Sequence, residues 1–382
     1  MDNKKQPVIC VIDGVTTAIL SAIIFKDRKI DVCIIEEKNT AFDKSSYSID
    51  MGDRVMIDII LSQLQIENVY EIRLPYILLD KKKRLSTFVK YCKIRKKIYK
   101  FLSDIPIDYS ESLFLGAVTS TFMAFLPQNV KISPMDHGVE CMYRCNNESK
   151  RKKKWVWDII KSLYMALTHY NFLGFCTNKG YTLANCSKDY FQWIDYRNFD
   201  NTVIERILKP TSEFVKQDNK KYGLFLPTTQ SEYKRHMKSA YGEDSPRQLD
   251  FELIYRKVLE NIKGVDCLVI KFHPSFYAIE GEKARYYLQI LENICHENNM
   301  TCLVLDELLG SSIGHSLPAE IIVRYISFTT VVAMYSTAVI NMAIKNNDLK
   351  CVNCYGVIKE FDEKLGRLND INPHVEKINC SV

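Results

Sequence analysis

Glycine and proline are scarce in this chain, 14 and 11 among 382 residues, which excludes collagen-like and low-complexity classes. A surplus of one charge is also missing. Lys plus Arg number 52 against 46 Asp plus Glu, and the net +6 is too small for a protein that binds nucleic acid over its whole surface. No internal repeat is present, which excludes repeat architectures. An apolar leader is lacking too: Met1 to Gln6 are polar, so the chain is expected to be cytoplasmic. The 13 cysteines, odd in number and scattered, are then expected as reduced thiols. The longest uncharged stretch is twenty residues, Tyr325 to Ile344, long enough on length alone to span a bilayer. It carries Ser327, Thr329, Thr330, Ser336, Thr337 and Asn341. Its β-branched run Thr329 to Val332 reads as a buried strand leading into a helix, not as a membrane span.

What is present is an ordinary globular composition, 47% hydrophobic and 26% charged, with length enough for two domains. Val8 to Ile24 reads as strand, Asp13-Gly14 turn and helix, and Ile30 to Glu36 repeats the strand signal. Val69 to Leu74 is a further strand candidate. Asn129 to Ser133 is expected as a strand that ends before a Pro-Met-Asp-His-Gly turn. Lys154 to His169 has a helical period. A polar, strand-poor tract from Tyr196 to Lys221 is expected to separate the domains, 1–205 and 206–382, because a new α/β series starts at Tyr222. Strands follow at Val265 to Lys271, Thr301 to Leu305 and Thr330 to Met334. Strands alternating with helices predict an α/β fold with parallel sheets: two Rossmann-like domains facing a central cleft.

In such sheets ligands bind at the carboxyl ends of strands, so the residues just after each strand carry the functional information. His273-Pro274 follows one of them. A histidine at a strand exit is suited to donate a proton or hydrogen bond to a leaving phosphate, although it can equally cap a turn. Ser336-Thr337 follows another and opens a helical segment, where hydroxyls and backbone N–H groups suit a phosphate, or merely cap the helix. Glu320, behind Pro318, falls in the first turn of a helix; its carboxylate complements the dipole or accepts bonds from ribose hydroxyls. Gly310 to Gly314 is a competing phosphate loop. In the first half, Asp136-His137-Gly138 puts an acid at a strand end, placed to act as a general base or as a plain turn.

In this order, Asp136-x-Gly138, His273-Pro274, Glu320 and Ser336-Thr337 resemble the bacterial sialyltransferases of GT-B architecture, among them the lipooligosaccharide sialyltransferases and capsular polysialyltransferases. The landmarks run from about residue 130 to 340. His137 stands where the family usually has a second acid, and Thr337 replaces a second serine while keeping the hydroxyl. The resemblance implies a GT-B fold with an N-terminal acceptor-binding and a C-terminal nucleotide-sugar-binding domain. It implies inverting transfer of sialic acid, or a related nonulosonic acid, from its CMP-activated form to a hydroxyl of a lipooligosaccharide or capsule glycan. Asp136 would deprotonate the acceptor and His273 would serve the departing phosphate. Gly138, Pro274, Glu320, Ser336 and Thr337 would bind the donor. No metal and no cofactor beyond the donor would be required. Two alternatives stay open: a transferase using another CMP- or CDP-activated donor, such as a glycerophosphate polymerase, and a catalytically silent nucleotide- or glycan-binding protein.

Residues 81–100 hold ten Lys or Arg and no acid, interleaved with Phe88, Val89, Tyr91, Ile94, Ile98 and Tyr99. Lys150 to Lys154 is a second basic run. Such segments suit an anionic membrane surface or a polyanionic or lipid-linked acceptor, with a solvated helix face as the plainer reading. No recognition motif for nucleic acid accompanies them. The expected location is the inner face of the cell membrane, as a peripheral protein. Cys351-x-x-Cys354 lacks further ligands nearby and reads as buried thiols, not a zinc site.

Overall fold

The computed structural model describes residues 6–39, 51–75, 85–117, 120–127, 130–136, 180–182, 191–241, 246–260, 262–273, 276, 280, 283–309, 314, 316–334, 336, 338–343, 349–354, 357–358 and 376–377. The chain divides into two units, Met1–Asp200 and Asn201–Val382, each built on one parallel sheet. No helix of the described residues is long and apolar enough to cross a membrane.

Unit 1 runs β1 (Val8–Ile12), α1 (Val15–Ile24), β2 (Ile30–Asn39), α2 (Met51–Leu61), β3 (Ile66–Pro75), α3 (Leu85–Asp104), β4 (Leu113–Ala117), α4 (Thr121–Ala124), β5 (Lys131–Asp136), β6 (Gly180–Thr182) and β7 (Phe191–Trp193). Its strands lie in the order β3-β2-β1-β4-β5-β6-β7, every pair parallel. β1 is central, and Ile9 to Ile12 are all fully buried, as a strand covered on both faces must be. Alternation divides its side chains. Ile9 and Val11 join the apolar cluster that α3 covers with Tyr91, Ile94, Ile98 and Leu102. Cys10 instead meets Ser21 of α1, with 3.0 Å between Sγ and Oγ. Helices therefore cover both faces, the doubly wound arrangement. On β4, Gly116 lets α4 come close: a Cβ there would sit 2.7 Å from the Met123 side chain.

Unit 2 runs α5 (Thr202–Gln217), β8 (Tyr222–Leu226), α6 (Gln230–Tyr241), α7 (Phe251–Leu259), β9 (Cys267–Ile270), α8 (Lys283–Glu297), β10 (Thr301–Val304), α9 (Leu305–Leu309), α10 (Ala319–Tyr325), β11 (Thr330–Ala333), α11 (Ala338–Met342), β12 (Lys350–Asn353) and β13 (Glu376–Lys377). The order is β10-β9-β8-β11-β12-β13, again all parallel. The uncharged stretch Tyr325–Ile344 contains the four-residue buried strand β11 and the short helix α11.

The division after Asp200 falls within the polar, strand-poor tract Tyr196 to Lys221, a few residues ahead of the expected 205. That tract is mostly helix α5, capped by Asn201, whose Oδ1 accepts from Val203 and Ile204 N–H at 3.1 and 3.0 Å. Ile204, Leu208, Thr211, Ser212 and Val215 form its buried stripe. Thr211 and Ser212 donate to the carbonyls of Leu308 and Tyr325, which fastens α5 to unit 2 and sets the division ahead of residue 205. Pro210 inside the helix and the charges around it hid this pattern. The strand expected at Asn129 to Ser133 is instead β5, Lys131–Asp136, so Asp136 closes the strand and is not in a turn. Pro134 is tolerated because the described pairing with β6 begins only at Met135, where a missing N–H breaks no ladder bond on that side.

Candidate functional site

In unit 2 the strand order reverses about β8: β9 lies on one side, β11 on the other. The crevice beyond the carboxyl ends at such a reversal is the ordinary ligand position of parallel sheets. The three exits are level, since Phe225 pairs with Ile270 and Leu226 with Ala333. Neighbouring strands are about 4.8 Å apart, so the exits of β9 and β11 are about 10 Å apart. His273 follows β9 and is exposed, and Ser336 follows β11 and is half-buried. Two residues chosen from sequence are thus brought to one sheet edge, on either side of β8.

The His273 turn is held by aromatic packing. Phe276 N–H donates to the His273 carbonyl at 2.9 Å. The rings of Phe272 and Phe276 stack at 3.6 Å and 5°, and Phe276 meets Tyr287 edge-on at 6.1 Å. Lys271, 6% exposed, precedes the turn; its N–H donates to the Phe225 carbonyl and its Nζ to that of Phe272 at 3.4 Å.

Between these exits, the first turn of α6 is closed by the protein's own side chains. Glu232 accepts from the Thr229 N–H and the Thr228 hydroxyl, both at 2.9 Å, while Thr229 Oγ1 accepts from the Glu232 N–H at 3.4 Å. This reciprocal pair is a capping box, legible as Thr229-x-x-Glu232. Tyr287 oxygen accepts from the Gln230 N–H at 3.1 Å, and Glu280 Oε1 from the Ser231 N–H at 3.3 Å. Burial pushes the Tyr287 phenol up to about 12, so it remains neutral and keeps its proton. Burial, with Glu280 nearby as a smaller cause, pushes the Glu232 carboxyl up to about 7, against the lowering effect of its hydrogen bonds. The buried phenol of Tyr255 donates to the Thr228 carbonyl at 2.7 Å. An external anion would therefore meet carboxylates, not open N–H groups, at the exit of β8.

Glu320 lies on α10 at 7% exposure, and its Oε1 accepts from Asn341 Nδ2 of α11 at 2.9 Å. Asn341 is 2% exposed, and its Oδ1 has no hydrogen-bond partner among the described residues. Ser336 Oγ accepts from the Ala338 N–H at 3.3 Å, the capping role, while its own O–H remains available to donate. In unit 1, Asp136 is the last residue of β5 and pairs with Thr182. Its side chain lies outside the described residues, as do His137, Gly138, Pro274, Thr337, the loop 310–313, the segment Lys154 to His169, residues 81–84 of the first basic run and the second run, 150–154.

Sequence reasoning missed Lys271, Glu232, Glu280 and Asn341. The capping box was the one readable signal among them; Glu280 and Asn341 acquire meaning only from contacts distant in sequence. Cys351 and Cys354 are both buried, and burial pushes the Cys351 thiol up to about 12, which keeps it protonated. No protein-family model matches this chain, and no curated protein matches it.

Proposed function

We propose that the chain is an inverting, GT-B-type glycosyltransferase that moves sialic acid, or a related nonulosonic acid, from its CMP-activated form to a hydroxyl of a bacterial surface glycan. The observation that supports this reading is the placement of His273 and Ser336 at strand exits flanking β8, while the helix after β8 is closed to anions by Glu232 and Glu280. The donor phosphate then rests beside His273 and the Ser336 hydroxyl.

In the reaction the acceptor oxygen bonds to the anomeric carbon as the bond from that carbon to the phosphate oxygen breaks. The acceptor proton passes to a carboxylate base, the role that the sequence resemblance gives to Asp136, and His273 donates to the departing CMP phosphate. Charge grows on the phosphate oxygens in the transition state, so donors aimed there lower the barrier. Glu320, already bonded to Asn341, serves the ribose only through its second oxygen.

The test follows CMP release from CMP-sialic acid with a panel of galactose-terminated and sialylated acceptors, for wild type and His273→Ala. Acceptor-dependent release that falls by about 100-fold or more in the folded variant is expected. Equal turnover in His273→Ala, or release from a CDP-activated donor in its place, would overturn the assignment.

A further inference from the structure

The basic segment 81–100 was left between an anionic membrane and a polyanionic sugar chain, and the described part of α3 separates the two. Its apolar side chains point inward: Tyr91, Ile94, Ile98 and Leu102 are buried in the core of unit 1. Half-buried Tyr99 and Phe101 pack against the same cluster, Phe101 edge-on to both Tyr70 and Phe122. What remains outside is Lys93, Lys96, Lys97 and Lys100, all exposed. Their spacing of three, four and seven puts them on one helix face, along about 10 Å of axis at 1.5 Å per residue.

The exposed acid of α3 is its last residue, Asp104, four positions after Lys100. No acid occurs between residues 81 and 103. The carboxylates of Glu37, Asp58 and Glu71 are held by Arg54 and Arg73. Among the described residues no ion pair engages Lys93, Lys96 or Lys100, and Lys97 donates to a backbone carbonyl, that of Arg73, at 2.6 Å. A sugar chain is recognised by aromatic faces and by mixed donors and acceptors. From Lys93 to Lys100 the exposed positions of α3 are all lysines, while Tyr91, Tyr99 and Phe101 pack against the core. A row of point charges reads charge density, which is what an anionic bilayer presents. Val89, at 47% exposure, is the single large apolar side chain exposed on the described part of α3, too little to insert as an amphipathic helix does.

We propose that the outer face of α3 docks unit 1 onto an anionic lipid bilayer by charge alone, without insertion. This does not depend on the reaction assigned above. The test is co-sedimentation of the full chain with phosphatidylglycerol–phosphatidylcholine vesicles, with pure phosphatidylcholine as the control. Binding is expected to need the anionic lipid. It is also expected to fall steeply between about 0.1 M and about 1 M salt, as the Debye length shrinks from about 10 Å to about 3 Å. Each neutralised lysine should lower partitioning about five-fold, so K93Q/K96Q/K100Q together should lower it roughly 100-fold. The corresponding arginine variants should bind as wild type. These side chains point outward, so circular dichroism and Tm should be unchanged and a loss of binding is not a loss of fold. Three outcomes overturn the proposal: salt-insensitive binding, a triple glutamine variant within about three-fold of wild type, or binding to soluble polysialic acid in place of vesicles.

Discussion

Glu232 should make unit 2 less stable as the pH rises, and replacing it by glutamine should remove that loss. Its carboxyl is pushed up from an ordinary 4.5 to about 7, chiefly by burial. A carboxyl raised in the folded state binds its proton more tightly there than in the unfolded chain. The stabilisation is therefore complete below about pH 4.5 and is lost as the pH rises through about 7. That interval, at about 1.36 kcal/mol per pH unit, sets an upper bound of roughly 3 kcal/mol. Glu232→Gln keeps an oxygen to accept from the Thr229 N–H and the Thr228 hydroxyl, yet never ionises. Urea denaturation by circular dichroism, with hydrogen exchange of β8 and α6 amides reporting unit 2 separately, should show the variant gaining on wild type from pH 5 to pH 8. The gain should be about 1–3 kcal/mol. Glu280→Gln should shift the midpoint of the wild-type loss to lower pH, because a like charge beside Glu232 disappears while an acceptor for the Ser231 N–H stays. A variant that is less stable than wild type at pH 8, or a difference that does not change with pH, would refute the reasoning: Glu232 would then be an ionised, net-stabilising cap.

Other substitutions test separate links. Asn341→Ala should destabilise unit 2 by about 1.5–3 kcal/mol, because it leaves the 7%-exposed carboxylate of Glu320 without the one donor it has in α11; denaturation at neutral pH checks this, and a neutral outcome would mean that water replaces the amide. Asn201→Ala should cost about 1 kcal/mol, and up to about 2, by uncapping two N–H groups of α5; hydrogen exchange should show the loss confined to the first turn of that helix.

The alternation of strands and helices was legible because buried parallel strands need near-continuous apolar runs, as at Val8 to Ile12, Cys267 to Ile270 and Thr330 to Ala333. α5 was not, because Pro210 and the charged outer face of the helix mask a stripe of only five buried positions. The end of β5 was misplaced for a similar reason: Pro134 reads as a strand terminator, yet it stands within the strand, opposite Gly116 of β4. At the candidate site, His273 and Ser336 were legible because strand exits are where side chains meet ligands. Glu320 was legible as a first-turn acid, but not as a residue bonded to Asn341. Contacts between segments twenty or fifty residues apart, such as Glu320 with Asn341 or Ser231 with Glu280, leave no periodic trace in a single sequence.

The hydrogen-bonding chemistry at the edge of unit 2 also restricts what it can hold. Three described carboxylates each accept an internal bond: Glu232 from Thr228 and Thr229, Glu280 from Ser231, Glu320 from Asn341. The Thr229 hydroxyl likewise accepts from the Glu232 N–H, and the Tyr287 oxygen from the Gln230 N–H. His273 is exposed at the exit of β9, and the Ser336 hydroxyl, which accepts from the Ala338 N–H at the exit of β11, keeps an O–H. Under the proposed reading, donors at His273 and Ser336 suit a ligand rich in acceptors, as a phosphate is. That reading also accounts for a helix at the centre of the sheet edge that is capped so completely. With every N–H of its first turn satisfied internally, α6 offers no open donor to an anion; under the proposed reading the phosphate rests at the flanking exits, where His273 stands.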